Sequence, residues 1–585
     1  MRGKSDKRKS GRRRRYSGKK RRNLRTFLLS AAAVILAVLA AALIYRFTPT
    51  SKTMDLQEYF GSSGKDGTCT IIVDGRAYPD AGTIVDGEVY ASAGWIREHL
   101  TTRFYEDAET SAVLFTDGDG TWEYRNAQTT FTSDDGRSAQ TEHPVVLVTD
   151  GQTQLWLAYC LKSADFSASW YIGESDTTGA GTSPARVVLR SGGAQDNTAT
   201  LARDTKLRYR GGIKSPILSS LAQGETVSVV SDLGDWTEVL TRDGITGYVK
   251  SRYLSGQQTG TVAHTFEGAY SHVLLGQKIV LGWLTSNSSV LDGDENDPAA
   301  AEELNVVSPT WYTVTDTAGN VDDTVSGSLV TELKNRGLSV WPLISDFTED
   351  VDSKALLSSR AARNAMITRL MADADQYGYD GINLDFEAVT SDSAPDFLQF
   401  VRELSVECRK RKIILSVDNY IPVQSREYYN YEEQSDYVDY IIMMDYDEHW
   451  STSEPGSASS LDFFRTNLTS ALAKVDRRQL VCGCPFYTRI YSVTGGVSSG
   501  REYGMQEALD TVAAAGVTPV WDDGVGQYTA AWSSGDTQYY AWLEEERSFT
   551  LRMQAVKESG CAGAAFWQLG KEFPDIWDIV REELG

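Results

Sequence analysis

Histidine and cysteine are both scarce in this sequence. Five histidines among 585 residues leave little material for a histidine-based metal centre. Six cysteines (Cys69, Cys160, Cys408, Cys482, Cys484 and Cys561) form no C-x-x-C pair and are too few to staple an exported chain of this length. Cys482 and Cys484 stand two apart on an expected strand, so they point the same way, as small buried side chains rather than zinc ligands. Positive charge is scarce too, except at one end. Of the 57 lysines and arginines, 14 fall within residues 1–25, against a single acidic residue there, Asp6. The rest is strongly acidic in a chain of net charge −23, which argues against any nucleic-acid partner, because phosphate binding needs clustered Lys and Arg. Apolar and aromatic residues are plentiful, at 41% and 10%. They suffice for several cores, in a chain whose length suggests roughly three to five domains.

The longest uncharged stretch accounts for the charge asymmetry. Residues 26–45, TFLLSAAAVILAVLAAALIY, have the length needed to cross a hydrocarbon core of ~30 Å. The basic blocks Arg12-Arg13-Arg14-Arg15 and Lys19-Lys20-Arg21-Arg22 precede it and are expected to stay cytoplasmic, with everything after Arg46 outside. The stretch ends in Ile44-Tyr45-Arg46-Phe47, a poor context for cleavage. A basic tail over 1–25 and an uncleaved single-pass anchor over 26–46 are therefore expected, N-inside in the cell membrane.

Residues 47–66 have the composition of a tether. From 67 to 190, short strands alternate with polar turns, as in Thr70-Ile71-Ile72-Val73-Asp74-Gly75 and Val145-Val146-Leu147-Val148. The order of this segment resembles the amino-terminal stalk domain of copper amine oxidases. Only the stalk is resembled, so an α+β spacer is implied and no copper site. Residues 196–256 run from Leu207-Arg208-Tyr209-Arg210 through Trp236 to Gly244-Ile245-Thr246-Gly247-Tyr248-Val249. That spacing is similar to the bacterial Src-homology-3-like domain, a small all-β barrel that often binds cell-wall peptides or glycans. Trp236 and Tyr248 either serve that binding or fill the barrel's core.

Residues 278–585 alternate apolar strand-like runs with helical ones. Strands are expected at 279–283, 304–307, 338–344, 381–387, 412–417, 437–444, 479–487 and 563–567, and helices at 361–377, 395–411, 461–474 and 549–559. Eight strands alternating with helices over about 300 residues is the count of a TIM (β/α)8 barrel, whose working residues sit at the carboxyl ends of the strands. The fold class is thus α/β, with the barrel at the carboxyl end behind two smaller domains and a transmembrane helix.

One strand carries the chemistry. In Asp380-Gly381-Ile382-Asn383-Leu384-Asp385-Phe386-Glu387, side chains alternate faces. Ile382, Leu384 and Phe386 therefore face the helices, while Asn383, Asp385 and Glu387 face the barrel interior. Two carboxylates on one inward face cost several kcal/mol unless paired, and offer a route to a raised pKa and a general acid. A buried ion pair or a metal site is the alternative, and the surroundings are thin in metal ligands beyond His449.

The octapeptide resembles the D-G-x-D-x-D-x-E signature of glycoside hydrolase family 18, the chitinase-like barrels. Met444-Asp445-Tyr446-Asp447 resembles the family's M-x-Y-D, and Gly483-Cys484-Pro485-Phe486-Tyr487-Thr488-Arg489 its G-x-P-x-Y-x-R. Ala565-Phe566-Trp567 is similar to the last strand with its sugar-stacking Trp. Two departures stand out: Asn383 replaces the usual central Asp, and Val340-Trp341-Pro342-Leu343-Ile344 stands where chitinases carry S-x-G-G. Together with Ser308-Pro309-Thr310-Trp311-Tyr312 and Trp542-Leu543-Glu544, they resemble the spore-cortex-lytic and germination branch, N-acetylglucosaminidases acting on peptidoglycan.

That resemblance implies catalytic roles for Glu387 as acid, Asp385 as the group orienting the substrate acetamide, and Tyr446 as its hydrogen-bond donor. It implies substrate contacts at Asn383, Asp447, Trp567, Arg489 and Asp380, with a structural salt bridge as the other role for Arg489. No cofactor and no metal are implied. His449 and Trp450 either line the cleft or pack a loop. The partners implied are a peptidoglycan or chitin-like glycan, the wall through residues 196–256, and the membrane through the amino-terminal helix. A largely non-catalytic wall-glycan-binding protein and a chitinase or endo-N-acetylglucosaminidase are the competing functions.

Overall fold

The computed structural model describes residues 10–172, 183–266, 271–285, 301–348, 351–573 and 575–585. Helix α1 (Ser10–Phe47) opens the described chain, and within it Leu24–Phe47 is long and apolar enough to cross a membrane. Contacts divide the chain into two units: residues 1–96 with 155–267, and residues 97–154 with 268–585.

The first unit is built of sheets. Thr68–Val73 pairs with Arg76–Val85 on one side and Arg186–Ser191 on the other. A second sheet joins seven strands between Gln195 and Thr261, closing the small all-β domain expected there. Its interior is filled by Leu201, Leu207, Val227, Val239 and Val249, and Ile72 and Val188 of the first sheet share that core. Trp236 and Tyr248 do not fill it. Thr237, Val239 and Val249 take the inward positions of their strands, so the alternation leaves Trp236, Glu238, Tyr248 and Lys250 half-buried on the other face. There the Tyr248 hydroxyl donates to Glu238 Oε1 at 2.8 Å.

The second unit contains eight parallel strands: β1 (Ile279–Leu284), β2 (Val306–Pro309), β3 (Ser339–Val340 and Leu343–Ser345), β4 (Gly381–Asp385), β5 (Ile414–Tyr420), β6 (Tyr440–Met444), β7 (Leu480–Pro485) and β8 (Gly563–Trp567). Each pairs with the next, and β8 pairs back onto β1, giving a closed ring and a TIM-barrel-like fold. Pro342, which lacks an amide hydrogen, interrupts β3. The outer helices include α2 (Arg360–Tyr377), α3 (Ala394–Arg411) and α4 (Glu546–Ser559). Helix α3 shows why such segments are helical. Pro395 stands in its first turn, Arg409, Lys410 and Arg411 in its last, and Phe397, Phe400, Val401, Leu404 and Cys408 repeat on one buried stripe.

The faces of β4 divide as its alternation requires. Ile382, Leu384 and Phe386 pack outward, Phe386 within 5.8 Å of the Phe397 ring and 5.5 Å of the Phe400 ring. Inside, the lower part of the ring is apolar, built from Ile279, Leu281, Val306, Trp341, Tyr440 and Val481. Gly381 is required there: a Cβ would meet the Trp341 ring at 2.7 Å and the Ile414 carbonyl at 3.0 Å.

Two features lie outside the sequence-derived pattern. Residues 104–140, expected to belong with a domain over 67–190, form a five-stranded sheet on the barrel helices instead. The helices offer buried polar groups that this sheet satisfies: Gln399 Nε2 donates to Thr116 Oγ1 at 3.0 Å, and Tyr105 donates to Asp396 Oδ1 at 2.7 Å. A second five-stranded sheet, from Tyr487 to Leu543, is inserted between β7 and β8. It carries Arg489.

Candidate active site

The inward residues of β4 and β5 form a ladder. Asn383 lies opposite Ser416 in the strand register, and Asp385 and Glu387 follow at alternate positions beside Asp418 and Tyr420. On the lowest rung, Asn383 is fully buried and has every hydrogen-bonding site occupied. Its oxygen accepts from Trp283 Nε1 (2.9 Å) and Ser308 Oγ (3.0 Å), and its nitrogen donates to Ser416 Oγ (3.0 Å) and Asp418 Oδ1 (2.7 Å). Asn383 therefore holds the neighbouring carboxylate in place and is not free to bind sugar, which corrects the substrate contact expected from the motif.

Asp385 Oδ1 is buried and accepts no hydrogen bond. Burial pushes the Asp385 carboxyl well above the usual range, with the charges of Asp418, Glu387 and Asp346 adding to it. Asp418 is pushed up the same way, by burial and then by Glu387, against the opposing hydrogen bond from Asn383. On the top rung, the Tyr420 hydroxyl donates to Glu387 Oε2 at 2.5 Å. Burial is the main cause that raises the Glu387 carboxyl. The Tyr420 hydrogen bond opposes it, and the charges of Asp346 and Asp447 reinforce it.

Asp346, at the end of β3, is fully buried and organises the turn that bears Glu387. Its Oδ1 accepts the backbone N–H groups of Glu387 (2.8 Å) and Ala388 (3.2 Å). From the other side, the Tyr429 hydroxyl donates to the Phe386 carbonyl at 2.9 Å. Asp346, Asp418 and Tyr420 were absent from the sequence-derived site. The signal was available: Ser416-x-Asp418-x-Tyr420 alternates on β5 just as Asn383-x-Asp385-x-Glu387 does on β4.

Tyr446 follows β6 and is half-buried, and burial followed by the Asp385 charge raises its hydroxyl. Trp567 ends β8 half-buried, its ring 5.8 Å from the buried Trp283 ring. Asp447 adopts a left-handed backbone (φ 57°) and accepts from Arg489 Nη1 at 2.8 Å and from the Tyr487 hydroxyl. Arg489 is buried, and its remaining bonds go to the His449 carbonyl (2.6 Å) and Glu502 (2.8 Å). It braces the loop after β6 and is spent as a salt bridge, the second of its two expected roles. Asp380 stands at the opposite end of β4, bonded to Lys334 Nζ (2.8 Å) and the Val340 amide (3.1 Å). A sugar contact from Asp380 is thereby corrected: a strand of five residues separates it from Glu387. His449 turns its Nδ1 to the Glu454 carbonyl, and Trp450 is exposed.

Residues 313–572 match the profile of glycosyl hydrolases family 18, and residues 203–255 that of the bacterial SH3 domain. The chain carries a glycosyl hydrolases family 18 domain. The family 18 profile thus spans β3 to β8 and the whole carboxylate ladder. Among curated relatives, the uncharacterized glycosylase YvbX of Bacillus subtilis (strain 168) is 25% identical over 270 residues, covering 43% of this chain and 77% of its own length. A cortical fragment-lytic enzyme of Bacillus anthracis is 23% identical over 260 residues, 41% of this chain and 57% of that enzyme. The chain thus spans little more than half of that enzyme's length. Among solved structures, a spore cortex-lytic enzyme of Bacillus cereus superposes with a TM-score of 0.48 at 17% identity, over 56% of this chain and 77% of that one.

Proposed function

We propose that this chain is a membrane-anchored extracellular glycosidase that cleaves β-1,4 bonds at N-acetylglucosamine in peptidoglycan, with retention and with the substrate's own acetamide as nucleophile. The observation that carries this reading is the Glu387 carboxyl at the mouth of the ring, held by the Tyr420 hydroxyl and by Asp346 beneath its turn, and favoured in its protonated form by burial and by two neighbouring carboxylates, Asp346 and Asp447. A general acid needs that form near its working pH.

Glu387 gives its proton to the glycosidic oxygen. The acetamide carbonyl attacks the anomeric carbon, so no enzyme nucleophile is required. Asp385, whose Oδ1 accepts nothing in the ligand-free protein, receives the acetamide N–H and balances the oxazolinium charge. Tyr446 donates to the acetamide carbonyl, and Trp567 floors the distorted sugar. Phe347, after β3, and Trp450, after β6, are 75% and 54% exposed and offer apolar faces at the same end of the ring. The outward Trp236 and Tyr248 support wall binding by the SH3 domain, with the segment from 67 serving as spacer.

Mass spectrometry of products from purified peptidoglycan and from chitin tests the reading. Peptidoglycan fragments cut at N-acetylglucosamine are expected, with no turnover of glycans bearing a plain 2-hydroxyl and competitive inhibition by a thiazoline mimic. Release from chitin alone would make the chain a chitinase. Binding without release would make it a wall-glycan-binding protein, and rapid cleavage of 2-hydroxyl glycans would overturn the acetamide mechanism.

A further inference from the structure

Asp385 and Asp418 stand side by side inside the ring. Strands β4 and β5 run parallel with Asn383 opposite Ser416 and Leu384 opposite Val417. The next inward positions are Asp385 and Asp418, on strands ~4.8 Å apart. Asn383 donates to Asp418 Oδ1, and it can do so only because Trp283 and Ser308 both donate to its oxygen and so fix which way its amide points. The groups facing this pair are Asp346 from β3, Glu387 beyond β4, Tyr420 on β5 and Tyr446 beyond β6. Arg426 and Asp447 bear on Glu387 above them. Among the described residues, no salt bridge reaches Asp385 or Asp418. Asp418 is buried and Asp385 half-buried with its Oδ1 covered, and two such adjacent carboxyls without a cation resist ionising together.

We propose that Asp385 and Asp418 hold one proton between them, so that Asp418, supplied by the neighbouring strand and held by Asn383, sets the charge of Asp385. The consequence for turnover rests on the glycosidase reading; the proton pair itself does not. With the proton on Asp418, Asp385 is the carboxylate that receives the acetamide N–H. The Glu387 proton passes to the leaving oxygen as the bond from that oxygen to the anomeric carbon breaks and the bond from the acetamide oxygen forms. The shared proton stays within the pair throughout. Asp418 is a positioning residue in this scheme, acting through Asp385 without touching the sugar.

Infrared difference titration of the full chain in detergent, without substrate, tests the pair directly. Wild type is expected to keep a carboxylic-acid signal well above the ordinary carboxylate range. In Asp418→Asn, which still accepts from Asn383, and in Asp385→Asn, that signal should titrate at least about one pH unit lower. On peptidoglycan, Asp418→Asn should move the acidic limb of the pH profile to lower pH, because Asp385 then ionises without a competing carboxyl, with KM within about twofold; Asp418→Glu should return the limb toward wild type. An infrared titration in Asp418→Asn identical to wild type would overturn the proposal, even if hydrolysis is intact. A chain that hydrolyses nothing yet shows the shifted titration would overturn the glycosidase reading and leave the pair standing. Should Asp418→Asn fail to fold, Asp385→Asn decides the infrared arm alone: an unshifted signal there overturns the pair.

Discussion

Tyr420 donates its hydroxyl to Glu387 Oε2 at 2.5 Å from the strand beside the one that leads to Glu387. The bond works against burial, because it favours the ionised carboxylate. Tyr420→Phe removes that support, so the Glu387 pKa should rise. The alkaline limb of the pH–rate profile, which reports loss of the acid's proton, should move upward. A profile unchanged in position would mean that the limb belongs to another group.

Glu387→Gln preserves shape while removing the proton donor. Activity should fall by about 10²–10⁴-fold, the usual contribution of general acid catalysis. Asp385→Asn should be comparably severe. Thermal unfolding of either variant should be unchanged or shifted upward, since each removes a carboxylate that is costly to bury.

The same carboxylates link stability to pH. Asp385, Asp418 and Glu387 have native pKa values raised above their ordinary 3.8, 3.8 and 4.5. The folded protein therefore binds more protons than the unfolded chain between the ordinary and raised values. Their contribution is most favourable below about pH 4 and is lost as the pH climbs through the raised values. The gain in melting temperature of Asp385→Asn over wild type should thus widen from about pH 4 to pH 7. A constant difference would show that the group is ionised throughout.

Asn383→Asp would replace a donor by an acceptor directly against Asp418 Oδ1 and leave the Ser416 hydroxyl to reorganise. Destabilisation of about 1–3 kcal/mol is expected from the lost pairing, more at pH 8 than at pH 4 because the added carboxyl must ionise beside Asp418. Denaturant unfolding at the two pH values reads it out.

On the SH3 domain, Trp236→Ala should weaken retention of the full chain on insoluble peptidoglycan, with melting little changed because the ring is half-buried on the outward face. Equal retention, with a large drop in melting temperature, would return Trp236 to a structural role.

Much of this was fixed locally along the chain. A period of two on the 380–387 segment already decides which side chains enter the ring, because successive Cβ atoms on a strand point to opposite faces. The charge step and apolar run at 26–45 likewise follow from composition alone. What the sequence left open is which distant residues those side chains meet. Asp418 and Asp346 reach Asp385 and Glu387 only because β3, β4 and β5 are neighbours in register, and register is set by packing around the whole ring. Asp380 belongs to the same octapeptide as Glu387 yet lies at the far end of β4, since a strand separates along its axis what the sequence holds together. Residues 102–140 pack on α3, where buried Gln399 and Arg402 find in Thr116 and Thr102 the partners that water cannot supply. Local pattern chooses the face of each strand; the order and register of the strands, set by the shared core, choose the company it keeps.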